Sequence, residues 1–213
     1  MAHPYEGFYA RFESPDKKDG SLLMNPDNIG GDTYEVFFKT DENRTVAWLK
    51  NKFGAEIGFL DADASRKLQL AAARDLKIRA LLSFVAYSDM PDPGLYWGQV
   101  AVFCYNPFES DVVDAFIDRI AEQLGSGVRP DINLGASGVE KIFEEPGWIP
   151  RDTVPLPKKE SGMAILKDRQ SMSEKMIEQG RAGNKGCYFV SILFIVVVVL
   201  AALYGLLKVF GIL

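Results

Sequence analysis

Over the first 105 residues, apolar and polar positions alternate in short runs, and beyond them the spacing lengthens toward that of a helix. A two-residue period puts every second side chain on one face of a strand. The runs at 7–12, 34–40, 44–49 and 56–60 therefore predict strands. Turn formers separate them, with a long loop at 14–33 and hairpin loops at 41–43 and 51–54. Two longer runs, IRALLSFVAY at 78–87 and LYWGQVAVFCY at 95–105, predict further strands. The loop SDMPDPG between them holds two prolines, which cannot donate to a sheet. Residues 61–74 predict a helix with Asp63 as its N-cap. Residues 111–124 predict an amphipathic helix with Phe116, Ile117 and Ile120 on its apolar stripe, capped by Ser110 and ended by Gly125. Ser137 and Glu140 have capping-box spacing before a short helix that Pro146-Gly147 stops. The order of elements predicts an α+β fold. It is a small antiparallel, partly closed β-barrel with one inserted helix and two following helices over one end or open edge.

The pattern then changes twice. Residues 148–160 carry Pro150, Pro155 and Pro157 and predict an extended linker after a globular domain at 1–147. Residues 161–186 predict a basic neck, helical over 163–179. From 187 to 207 the chain reads CYFVSILFIVVVVLAALYGLL, without a charge, and a short tail at 208–213 follows. About 20 apolar residues at about 1.5 Å rise cover the hydrocarbon core of a bilayer, so this run predicts a C-terminal transmembrane helix. The alternative, a buried core helix, needs a protein body around it on all sides, and the preceding residues carry a core pattern of their own.

Charge gives the span a direction. Lys167, Arg169, Lys175, Arg181 and Lys185 precede it, and Lys208 alone follows. That bias predicts a single-pass plasma-membrane protein with its N-terminal domain in the cytoplasm. The five preceding cations are expected at the lipid surface, at about 1 kcal/mol for each one close to it. Residues 1–150 sum to −9 and 151–186 to +3, so an acidic head sits on a basic neck. The N-terminus MAHPYEGFYARF has no basic stretch leading into an apolar run, so no signal peptide is expected. Ala201 and Gly205 make a small-xxx-small pair that could bring two anchors together as a homodimer, although small residues are common in spans. Cys187 lies at a depth where acylation occurs, or serves there as a small apolar side chain.

Candidate chemistry is sparse. The single histidine, His3, lies at the terminus, so neither a catalytic triad nor a Cys/His metal centre is expected. Cys104 and Cys187 do not suggest a disulfide framework. Asp61 and Asp63 follow a strand, as phosphotransfer pairs can, but Asp63 at a helix start serves the fold instead. No enzymatic activity and no cofactor are expected. One stretch runs against the acidic background. Residues 44–79 hold Arg44, Lys50, Lys52, Arg66, Lys67, Arg74, Lys77 and Arg79 against four acids, with Trp48, Phe53 and Phe59 among them. Cations interleaved with stacking aromatics suit single-stranded nucleic acid. The same residues also make an ordinary solvated barrel face whose aromatics turn to the core.

Residues 45–88 resemble the central part of a HIRAN-type domain. There a strand leads through a short loop to a G-x-x-IG-[YF]-[LI] strand, then to a helix and another strand. Gly54-Ala-Glu-Ile-Gly58-Phe59-Leu60 fits that pattern. The family's early N-P-x-D-x-x-A stretch is only started here, because Asn25-Pro26-Asp27-Asn28 continues into Ile29-Gly30-Gly31. The resemblance implies a small β-barrel and, in some relatives, binding of single-stranded DNA ends. Two readings of function follow, ahead of a third that the sparse chemistry supports less, an enzyme with an unrecognised carboxylate site. The first is a membrane-tethered module that binds an unidentified protein or peptide. The second is a HIRAN-like single-stranded nucleic-acid binder held at the same membrane.

Overall fold

The computed structural model describes residues 3–41, 44–158, 160–171 and 173–174. The chain divides into two compact units, 1–170 and 171–213, and the regular elements below belong to the first. The run at 187–207, its homodimer pair, Cys187, Lys175, Arg181, Lys185 and Lys208 lie outside the described residues. Among the described residues no helix is long and apolar enough to cross a membrane.

Strands β1 (Tyr5–Glu13), β2 (Thr33–Asp41), β3 (Arg44–Lys50), β4 (Glu56–Leu60), β5 (Lys77–Ser88), β6 (Leu95–Tyr105) and β7 (Met163–Lys167) form one sheet in the order β2-β3-β4-β1-β6-β5-β7. Each strand pairing is antiparallel. A further pairing, Thr33↔Leu81 and Tyr34↔Ala80, joins β2 to β5 and closes the first six strands into a ring. The fold is α+β, with a ring-like antiparallel sheet and a few helices. Period-two patterning turns Phe12, Tyr34, Leu49, Leu82 and Val100 into the ring, and a register shift in β4 turns Ile57 inward beside Gly58; all of these side chains are fully buried. Gly58 is required by close approach. A Cβ there would meet the carbonyl oxygen of Glu13 on β1 at 2.4 Å.

After a single-turn helix α1 (Lys17–Gly20) that follows β1, helix α2 (Ala62–Ala73) closes one end of the ring, with Ala64, Leu68 and Ala71 in the core. Ser65 Oγ accepts from the Ala47 backbone N–H at 3.0 Å, and Gln69 Nε2 donates to the Thr45 carbonyl at 2.7 Å. Its N-cap is Asp61, not Asp63. Asp61 has the extended backbone of a cap and accepts from Ala64 N–H at 2.8 Å. Asp63 falls inside the first turn, where its charge still suits the helix dipole.

Helices α3 (Ser110–Gly125) and α4 (Ala136–Glu144) lie on the outside of β1, β5 and β6. The α3 stripe Val113, Phe116, Ile117, Ile120 and Leu124 packs on Leu81, Phe103 and Tyr105. Ser110 is already helical and donates to the Pro107 carbonyl at 2.7 Å, so it does not cap α3. Gly135 precedes α4 and Ser137 lies within it, so the expected capping box does not form. His3 has a fixed place: its Nδ1 lies 2.5 Å from Glu109 Oε1 and its ring stacks on Phe143 with centroids 3.9 Å apart.

The expected linker is a strap on the body. Asp131 N–H donates to the Asp152 carbonyl and Val154 N–H to the Arg129 carbonyl, each at 2.8 Å. The buried Arg129 guanidinium donates to Ser83 Oγ at 2.9 Å and to the Pro155 carbonyl at 2.6 Å, and also bonds Gln99. Prolines lack an N–H, but their carbonyls still accept, and that lets a proline-rich segment be tied down. The expected neck helix is also corrected at its start. Met163–Lys167 is strand β7, paired with Val85–Ser88 of β5. Met163 and Ile165 alternate inward to cover Phe84, Ala86 and Trp97, a period of two that local helix propensity conceals.

Candidate binding face

The ring has two kinds of outer surface. Residues of β1, β5 and β6 meet α3 and α4 in one buried cluster, and no residue of β2, β3 or β4 belongs to it. On that second surface, register decides which side chains meet. Phe37 of β2 stands opposite Trp48 of β3, and Trp48 stands opposite Phe59 of β4. Three half-buried aromatics thus form one cross-strand row. The Trp48 and Phe59 ring centroids are 5.4 Å apart at 47°.

Lysines lie over this row. Lys39 Nζ stands 3.9 Å from the Trp48 ring centroid, and Lys50 Nζ stands 4.7 Å from that of Phe37. Each is also held by a carboxylate: Lys39 pairs with Glu56 across Trp48, and Lys50 lies 3.9 Å from Glu35. The ammonium groups sit where a stacked base would sit, and their charge is already matched. A base would have to displace them, at about 0.5–1 kcal/mol for each exposed cation–π contact. Sequence reasoning missed Phe37 and Lys39. Period two puts them outward, but only the register shows that they reach Trp48.

The nine residues of the expected basic strip do not form one patch. Trp48 and Lys50 belong to the aromatic row, and Arg44 starts β3 at an exposed position. Lys52 sits on the loop before β4 and reaches Asp32 at 3.2 Å. Arg66, Lys67 and Arg74 are exposed on or next to α2, with Lys67 Nζ 4.9 Å from the Phe8 ring centroid. Lys77 and Arg79 face α3. Lys77 meets Asp114 at 2.7 Å, while Arg79 meets Asp114 at 2.9 Å and Asp118 at 3.0 Å. Tyr105 OH also donates to Asp114. Burial opposes the Asp114 charge, but hydrogen bonds from Lys77, Tyr105 and Arg79 outweigh it and hold the carboxyl below its usual range.

Of the cations expected at the lipid surface, Lys167 is buried. Its Nζ donates to the carbonyls of Leu23, Met24, Asn25 and Asn28 at 2.8–3.5 Å. Arg169 is exposed.

An open cleft of about 620 Å³ lies beside the start of α4, walled by Asn133, Lys141, Trp148 and Arg151. Asp131, Glu145 and Asp152 line it too, so its charge is mixed. Cys104 is buried, and burial pushes its thiol up to about 12, so it stays protonated at neutral pH. Among the described residues no cluster of histidine, cysteine or carboxylate side chains is arranged to hold a metal ion. Comparison with protein-family models, curated proteins and solved structures finds no match.

Proposed function

We propose that this protein is a membrane-tethered interaction module whose head offers the outer face of β2, β3 and β4 to a protein segment. The observation that carries this reading is the in-register row Phe37–Trp48–Phe59 outside the helix-covered cluster. Interfaces favour such a centre: large aromatics within a rim of charged groups, here the Lys39–Glu56 and Lys50–Glu35 pairs. The tether is the uncharged run at 187–207, and the excess of cations before it keeps the head in the cytoplasm. The head is read as a small β-barrel of six ring strands, in keeping with the HIRAN-type resemblance at 45–88.

The test places a photo-crosslinking side chain at Glu35, beside the row, or at Asp118 on α3; these side chains are 67% and 68% exposed. In native membranes the Glu35 probe is expected to capture a protein adduct that disappears with Trp48→Ala, and the Asp118 probe none. Absence of a Trp48-dependent adduct overturns the reading.

A second reading keeps the same face for single-stranded nucleic acid, favoured by the three aromatics in register. The lysine–glutamate pairs and the −9 of residues 1–150 oppose it. Tight oligonucleotide binding that falls steeply with salt would make it the leading reading.

A further inference from the structure

A buried polar network leads from β7 to the loop before β4. Lys167 Nζ donates to the Asn28 carbonyl at 2.8 Å. Asn28 Oδ1 accepts from Tyr34 OH at 2.9 Å and from Asn51 Nδ2 at 3.3 Å. Asn51 Oδ1 in turn accepts from the backbone N–H groups of Phe53 and Ala55 at 3.0 and 2.9 Å. Gly54 completes the loop at φ +82°. The loop is therefore held in one shape, and that shape leaves Phe53 53% exposed.

The chain leaves the first unit at the same end. Gln170 N–H donates to the Gly125 carbonyl at 2.9 Å, and Gln170 shares a hollow with Gly30, Asp32 and Glu122. Asp32 is the residue that Lys52 reaches. Other apolar side chains ride on segments tied to this exit. Met24 is 39% exposed on the turn whose carbonyls hold Lys167, and Val128, also 39% exposed, follows the Gly127 that Arg169 passes. The charges here are of both signs, with Lys52 and Arg169 beside Asp32, Glu122 and Asp168.

We propose that this end of the unit, with Phe53 and Met24 foremost, rests in the headgroup region of the bilayer that carries the span. The proposal depends on the reading of 187–207 as a membrane helix. Two observations favour a lipid surface as occupant: Lys167 and Gln170, among the last residues of the first unit, are bound at this end, and exposed apolar groups stand among charges that can stay hydrated. The mixed signs make the contact independent of anionic lipid.

The test uses the full chain in vesicles of phosphatidylcholine brominated at the upper acyl positions. It compares Phe53→Trp, Met24→Trp and Leu70→Trp with the wild type, whose tryptophans set the background. Leu70 is 52% exposed on α2, which closes the ring at the Thr45–Ala47 end of β3, away from Asn51. The fluorescence added at 53 and at 24 is expected to fall about twofold in brominated vesicles, and that added at 70 to stay unchanged. Adding phosphatidylserine should leave the result as it is. If the protein floats with the vesicles but 53 and 24 stay as bright as 70, the docking surface is wrong and the tether stands. Equal quenching at all three positions also overturns it. Failure to float removes the tether and the docking surface together.

Discussion

The two sides of the ring share one strand chemistry and meet different fates. Under α3, the outward residues Leu81, Phe103 and Tyr105 are fully buried, and Phe116 lies against Phe103 and Trp148 with centroids 6.4 and 6.2 Å apart. On the β2–β3–β4 side, Phe37, Trp48 and Phe59 point outward in the same way, and lysine side chains lie over Phe37 and Trp48. Aromatics outside the ring thus serve stability where a helix covers them. Where only paired, partly exposed lysines cover them, removing that cover costs little.

The sharpest break of this comparison is Phe116→Ala against Trp48→Ala. The first empties a buried site and should cost about 3–5 kcal/mol by denaturant unfolding. The second should cost about 1 kcal/mol, yet abolish the Glu35 crosslink. Equal losses of stability would mean that the second face is structural too.

Next in size is the end of the chain. A chain stopped at Pro157 loses β7, which covers Phe84, Ala86 and Trp97. It should aggregate or unfold well before one stopped at Gln170. Within the longer chain, Lys167→Met leaves buried carbonyls without their donor and should cost about 1–3 kcal/mol. If Lys167→Met matches the wild type in urea, the polar network does not hold β7.

A smaller effect belongs to the covered side. The Asp114 carboxyl is held below its usual range in the folded state, so its contribution is present above the ordinary carboxyl value of about 4 and is lost as pH falls through the depressed one. The stability gap between wild type and Asp114→Asn should be flat near neutrality, at about 1 kcal/mol for partly exposed ion pairs, and close in acid. A gap that widens on acidification would contradict the assignment.

The smallest expected change is Lys50→Glu with Arg66→Glu, within about 0.5 kcal/mol in stability because both are surface positions. These two residues lie on different parts of the ring, one on β3 and one on α2. If the wild type binds oligonucleotides and this pair flattens the salt slope, the dispersed cations act together after all.

Much of the architecture was legible from periodicity. The strands at 34–40, 44–49, 56–60, 78–87 and 95–105 and the helices after Leu60 and Ser110 appear within a residue or two, because alternation and helical spacing are local properties. The acidic head, the basic neck and the uncharged run at 187–207 are likewise properties of the sequence itself. Tertiary structure decided what lies far apart in the chain. Residues 163–167 look helical by composition and become a strand because β5 offers an open edge and Phe84 and Trp97 need cover. Lys167 looks like a lipid contact and is buried because four carbonyls from the loop at 23–28 converge on it. The basic strip looks continuous from 44 to 79, yet it divides among a sheet face, a helix and an ion-pair cluster, since β3, α2 and β5 point to different parts of the ring. Which aromatics share a row depends on strand register, and register is set by closure of the ring as a whole.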